Sequence, residues 1–256
     1  MKIIVSVKQV PARDSLLRVT GDGGWLDTSD VSYEMNEPDA YALEEALQLR
    51  ETLGGEVVVL CAGPQRATQT IREALAKGAD RAIHVELGEN DRPDASLTAQ
   101  LLAKAIASES PDLILTGLQS DDMGYGQTGV ILAELLGFSH ATIVMEVAVN
   151  GSEVRVKREL EDGWFQNVLL PLPAVLTIQS GIKKLRYATL MGIKKAKTKE
   201  VKTISAADLG IDAQPQSVME RIYLPQHTKQ SQIFSGDARQ SAHKLVEKLR
   251  FEARVL

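Results

Sequence analysis

Cysteine is nearly absent from this chain: 256 residues contain one, Cys61. A lone thiol forms no internal bridge, and it lies in the apolar run 56–61, where a reduced, buried thiol is the default. A disulfide-stapled fold is therefore excluded, and a reducing, cytoplasmic location is expected. Long hydrophobic runs are also missing. No window approaches the ~20 apolar residues of a membrane span, and the first seven residues lack the charged and apolar regions of an export leader. Neither a Walker loop nor a G-x-S-x-G motif occurs. The four histidines, His84, His140, His227 and His243, are dispersed without metal-ligand spacing and read as surface or structural residues, so no metal site is expected. No catalytic constellation can be assembled from what remains. What the chain does have is ordinary globular composition, 44% hydrophobic and 25% charged, which excludes disorder and leaves core enough for one large domain or a domain with an appendage.

Charge is distributed unevenly. The acids outnumber the bases by 34 to 29, a formal charge of −5. Yet segment 181–202 holds Lys183, Lys184, Arg186, Lys194, Lys195, Lys197, Lys199 and Lys202 against Glu200 alone, which makes it +7 and the rest of the chain −12. Nucleic acid is a poor partner for such a stretch, because Tyr187 is its only stacking ring and the acidic remainder repels a polyanion. A solvated face and a docking surface for an acidic protein both remain open.

From residue 1 to about 136, short β-rich runs alternate with helical periodicity, the pattern of βα units around a parallel sheet. Strands are expected at 2–7, 56–61, 81–85 and 113–116, and helices at 39–53, 67–77, 95–108 and 130–136. A hairpin-like turn is expected at 21–24, ahead of Trp25. From 141 the period becomes two, with strands at 141–149, 153–160 and 164–170 and a strong hairpin signal at Asn150-Gly151. These strands extend or flank the sheet, and 174–179 rejoins it. The fold class is thus α/β: an open, mostly parallel Rossmann-like sheet with antiparallel hairpin additions. We place this domain at 1–200. Residues 201–256 read as an arm with a short helix at 237–252, where Asp237 serves as cap. So few apolar groups do not offset the entropy of ordering an arm, so it must wrap onto a surface, its own body or a partner chain.

The most informative loop, 117–129, follows one strand and precedes a helix. In open α/β sheets ligands settle at the carboxyl ends of strands, and a helix start offers free N–H groups to an anion. Gly124, Gly126 and Gly129 let backbone approach a phosphate, with Gln127 and Thr128 as added donors; plain loop-turning and helix-capping remain the alternative. Asn36-Glu37-Pro38-Asp39 opens the first long helix, with Asn36 or Asp39 a competent N-cap. Residues 6–9 and 62–64 end the first two strands at the same edge. Four segments converging there describe a nucleotide pocket.

The stretches MKIIVSVKQV (1–10), NEPDAYALEEA (36–46), GADRAIHV (78–85), 117–129, KRELEDG (157–163), LPAVLTIQ (172–179) and LRYATLMGIKKA (185–196) together resemble the beta, or small, subunit of electron-transfer flavoproteins. In pattern the chain is most similar to the type associated with trimethylamine dehydrogenase. The resemblance implies a non-catalytic electron carrier, paired with a larger alpha subunit that holds most of the FAD, while this chain buries a structural AMP. Carried over position by position, the AMP pocket comprises Ser6, Asn36, Glu37, Pro38, Asp39, Ala62, Gly117, Gln119, Ser120, Asp121, Asp122, Gly124, Tyr125, Gly126, Gln127 and Thr128, with the phosphate near Gln127 and Thr128. The resemblance also makes 186–190 a recognition loop for a donor dehydrogenase, with Arg186, Tyr187 and the apolar anchor Leu190. Electrons then pass to a quinone-linked acceptor. Leu185 stands where relatives carry a proline, and Pro11-Ala12-Arg13 where many carry an aromatic near the flavin. Electron-bifurcating members hold a second FAD in place of AMP and usually read A-Q-V-G where this chain has Gly126-Gln127-Thr128-Gly129. That form, and a stand-alone nucleotide-binding regulator, are the alternatives.

Overall fold

The computed structural model describes residues 1–211, 214–225 and 231–256. His227 lies outside the described residues. In chain order the elements are β1 (Lys2–Ser6), β2 (Gln9–Pro11), β3 (Tyr33–Met35), α1 (Glu37–Leu53), β4 (Glu56–Gly63), α2 (Thr68–Lys77), β5 (Arg81–Glu86), α3 (Ala95–Ala105), β6 (Leu113–Gly117), α4 (Thr128–Leu136), β7 (Ser139–Asn150), β8 (Glu153–Glu159), β9 (Phe165–Pro171), β10 (Ala174–Ile178), α5 (Leu190–Ala196), β11 (Val201–Ser205) and α6 (Ala238–Phe251). The elements expected from residue patterns all form, with ends shifted by a few residues. α4 starts two residues early because the Gln127 carbonyl already accepts from Ile131 N–H, at 3.0 Å.

Nine strands form one sheet in the order β11-β5-β4-β1-β6-β10-β7-β8-β9. The first seven pair in parallel, and β8 and β9 add an antiparallel hairpin at one edge. This is the open, mostly parallel α/β sheet with hairpin additions that the alternation of patterns implies. The central strands are buried on both faces, which is why they read as unbroken β-branched runs rather than alternating ones. Ile3 and Val5 pack toward α1 and α2 in one core; Ile4 and Ile114 pack toward α3 and α4 in the other. Strand order reverses beside β1, whose neighbours are β4 and β6, and such a switch point leaves a crevice at the carboxyl ends of the strands.

The sheet continues past the boundary expected at 200. β11 adds its edge strand beside β5, and Ala206, Leu209 and Ile211 pack on the core, the 206–209 turn lying against α3. The lysines around this strand mask its short alternation in the sequence. Beyond it, none of the 14 residues of α6 is fully buried among the described residues. Its cap is the expected one: Asp237 accepts from Gln240 N–H at 2.8 Å.

Cys61 is fully buried in β4, and burial pushes its thiol up to about 12, with the nearby Asp39 carboxylate adding to the effect. Reaction requires the thiolate. The native protein is expected to resist iodoacetamide at pH 8 and to be alkylated at once in denaturant; native-state labelling measured by mass would contradict this burial.

Candidate functional site

At the crevice, β1 runs out at Ser6 and β6 at Gly117, and the start of α1 lies across both. One carboxylate joins the three. Asp39 accepts from Lys8 N–H through Oδ2 at 2.7 Å and from Gly117 N–H through Oδ1 at 2.9 Å. Asn36 makes a second bridge: its Nδ2 donates to the Gln119 carbonyl at 2.9 Å, and its Oδ1 accepts from Asp121 N–H at 2.9 Å. The expected capping role of these two side chains is thus corrected. No side chain caps α1, because both are spent on backbone donors of the neighbouring strand ends.

Burial pushes the Asp39 carboxyl up to about 7, against the Lys8 and Gly117 N–H groups, which favour its charged form. Gly117 is required by this arrangement, since a Cβ there would stand 2.3 Å from Asp39 Oδ1. The other loop glycines divide their roles. Gly124 and Gly126 adopt φ of +65° and +64°, open to glycine at little cost. Gly129 is packed instead: its Cβ would meet Thr116 Oγ1 and a Thr177 methyl, both at 2.7 Å. The missing side chain lets α4 approach β6 and β10, and Gly129 also lines the cavity between these segments.

These segments surround a cavity of about 250 Å³. Of the residues expected there, Ser6, Asn36, Asp39, Ala62, Gly117, Gln119, Ser120, Asp122, Tyr125, Gly126, Gln127 and Thr128 line it. Glu37, Pro38, Asp121 and Gly124 do not. Glu37 and Asp121 pair with Arg13 at the rim, Pro38 packs behind Gly117, and Gly124 turns the loop, its N–H donating to the Ser120 carbonyl. At one wall α4 begins with no side chain capping it, so its first-turn N–H groups present partial positive charge. Lys8 lies alongside, with Nζ 2.6 Å from Asp122 Oδ1 and 3.2 Å from Ser120 Oγ.

The far wall holds groups that residue patterns did not single out. Arg66 stacks on Tyr33 and Arg92 on Trp25, each guanidinium 4.5 Å from the ring centre. Arg66 pairs with Glu89, whereas Arg92 bonds only the Glu89 and Asp91 carbonyls and has no ion pair among the described residues. Burial and the like charge of Arg66 lower the Arg92 pKa. Two buried polar atoms beside this wall, Gln9 Oε1 and Arg66 Nε, have no hydrogen-bond partner among the described residues. Trp25 and Arg92 come from irregular loops, and Tyr33 and Arg66 from a three-residue strand and a single 3-10 turn, segments too short for periodicity to carry information. Arm residues Ser217 and Met219 also reach the cavity.

The basic segment lies on the other side of α1. Arg186 is not a free docking group. Its guanidinium is forked between Glu44, at 2.8 and 3.0 Å, and Glu51, at 2.6 and 3.3 Å, and its backbone N–H also donates to Glu44. These bonds raise the Arg186 pKa; burial alone would raise that of Glu44, but the arginine holds it below the usual carboxylate value. Lys183 lies 3.6 Å from buried Glu45, and Lys199 donates to the Leu75 and Ala79 carbonyls at 3.0 and 2.5 Å. Lys184, Lys194, Lys195, Lys197 and Lys202 carry no ion pair among the described residues. Between these groups Tyr187 is 91% and Leu190 88% exposed, and Thr189 caps α5 through Gly192 N–H at 3.0 Å. His84 is structural, its Nε2 2.9 Å from the Gly63 carbonyl, while His140 and His243 are exposed. Among the described residues no three His, Cys, Asp or Glu side chains gather as a metal set.

Comparison with known proteins bears on this arrangement directly. The electron transfer flavoprotein domain matches residues 23–209. This chain belongs to the electron transfer flavoprotein family. It is 38% identical to the electron transfer flavoprotein subunit beta of Methylophilus methylotrophus, over 96% of this chain and 97% of that one. The corresponding figure for the Bradyrhizobium diazoefficiens beta subunit is 40%, over the whole of both chains, and for the Homo sapiens beta subunit 39%, over 83% and 84%.

The buried Asp39 makes a pH signature. Its folded value, about 7, lies above the unfolded one, so the folded state holds a proton between roughly pH 4 and 7 that the unfolded state has lost. The resulting stability is present below pH 4 and lost as pH rises through 7. Relative to Asp39→Asn, the melting temperature of the native chain is expected to fall between pH 5 and 7.5 and then level off; parallel profiles would show that Asp39 does not titrate there. Asp39→Asn should also lower stability by about 1–3 kcal/mol, since one of the two N–H donors loses its acceptor.

Proposed function

We propose that the chain serves as the beta subunit of a heterodimeric electron transfer flavoprotein, seats AMP in the crevice between β1 and β6, and helps enclose FAD held mainly by the alpha subunit. Family membership supports the electron-carrying role. FAD, when bound, supplies the redox chemistry; protein supplies placement and docking. The observation that carries the AMP reading is the uncapped start of α4 in a cavity that also holds, among the described residues, Arg92 without an ion pair and two buried polar atoms without a hydrogen-bond partner. Such a cavity fits a nucleotide monophosphate: helix N–H groups take the phosphate, and stacked guanidinium and aromatic groups supply flat surfaces for a base.

α6 supports pairing with a second chain. A 14-residue helix is marginal in water alone, and no residue of this one is fully buried among the described residues of its own chain. That speaks against the stand-alone regulator, for which the arm would pack on itself. For the donor, the proposed contact is the apolar anchor Leu190 with Tyr187 beside it, exposed within a rim of unpaired lysines; the apolar contact slows release and the charges speed encounter. Arg186 contributes by holding this loop to α1 rather than by touching the donor.

Purification of this chain with its partner subunit should recover one FAD and one AMP per heterodimer, read by absorbance and mass. Two FAD and no AMP would establish the electron-bifurcating form instead, and a stable monomer without flavin would favour the regulator. Leu190→Ala should slow electron delivery from the donor about tenfold or more, the scale of a docking hot spot, with flavin content unchanged; an unaltered rate would remove the docking role.

A further inference from the structure

We propose that residues 216–222 form a strap along one wall of the nucleotide cavity, latched by Asp94, and that opening this strap limits how fast the nucleotide leaves. The inference rests on the adenine-nucleotide reading of the cavity and concerns residues that neither the motifs nor the family resemblance singled out.

Asp94 divides its two oxygens between two jobs. Oδ1 caps α3 by accepting from Leu97 N–H at 2.8 Å. Oδ2 accepts from Gln216 N–H at 2.7 Å, Ser217 N–H at 2.9 Å and Ser217 Oγ at 3.4 Å. The carboxylate is 8% exposed as a residue; burial alone would raise its pKa, but the Leu97, Ser217 and Gln216 donors prevail and lower it. Six residues further on, Ile222 N–H donates to the Gly23 carbonyl at 2.9 Å, in the turn that carries Trp25. The segment is thus tied at both ends, once to Asp94 at the start of α3 and once to the turn whose Trp25 stacks on Arg92, and between the ties Ser217 and Met219 line the cavity.

Hydrogen bonds rather than apolar packing hold it there. Val218 is 81% exposed, and no residue of 216–222 is fully buried. A segment with few buried contacts opens without unfolding the body beneath it. The Asp94 bonds are charge-assisted and are the strongest of its ties, so loss of their acceptor multiplies the open fraction. Because the latch acts equally on empty and filled cavities, it changes the rates of entry and exit together and leaves affinity nearly constant. A residue that merely touched the ligand would weaken affinity in proportion to the faster release.

The test uses the complex of both subunits loaded with radiolabelled AMP and chased with unlabelled AMP. Asp94→Asn keeps an oxygen for Leu97 but turns an amide toward Gln216 and Ser217. It should speed release at least tenfold, while the dissociation constant from competition changes less than threefold. Ser217→Pro, which removes two donors and leaves the α3 cap in place, should shift release in the same direction. Unchanged release in both variants, or a dissociation constant that rises in step with the release rate, would overturn the strap alone. A wild-type complex that holds no adenine nucleotide would overturn the functional reading beneath it.

Discussion

The Asp39 carboxylate is the constraint on which the site depends. A buried carboxylate is unfavourable by itself, and the sign of its pKa shows that burial prevails over its hydrogen bonds. It persists because two backbone N–H groups, at the ends of β1 and β6, have no other acceptor at the point where their strands leave the sheet. Joining those ends to α1 sets the width of the crevice, and Gly117 is the residue whose missing side chain lets the junction close. Asn36 repeats the device one turn of chain earlier, fixing the 119–121 loop that leads to the uncapped start of α4.

Helix α1 serves two surfaces at once. Its first turn builds the cavity wall, and its middle presents Glu44, Glu45 and Glu51 to the basic segment. The segment's charge of +7 therefore overstates what a partner meets, because Lys183, Arg186 and Lys199 spend their protons on carboxylates and carbonyls of this chain. The fork between Arg186 and two glutamates orders the loop that leaves Tyr187 and Leu190 in solvent. Exposed apolar side chains on a tethered loop lose less entropy on docking than the same side chains on a free one.

The C-terminal quarter behaves in two ways. Residues 201–211 complete the sheet and its core, and 214–225 return to the cavity, whereas no residue of α6 is fully buried among the described residues. The transition follows the apolar supply: Val201, Ile204 and Leu209 still reach the core, and past them the larger apolar side chains, such as Tyr223, Ile233 and Phe251, stand exposed.

Residue order alone determined the α/β class, most of the strands and helices with their order along the chain (β2, β3, α5 and β11 excepted), the buried thiol and the edge at which Ser6, Asn36 and the 117–128 loop gather. Those features follow from local periodicity, turn residues and the rule that parallel strands expose their carboxyl ends. Only the tertiary structure decided that Asn36 and Asp39 bridge strands instead of capping a helix, that Arg186 is held by Glu44 and Glu51, that Gly129 lets α4 pack close to β6 and β10, and that Arg66, Arg92, Ser217 and Met219 line the cavity. Each of these is a contact between residues tens of positions apart, and a side chain that can satisfy either a local or a distant partner reveals its choice only when the distant one is in place.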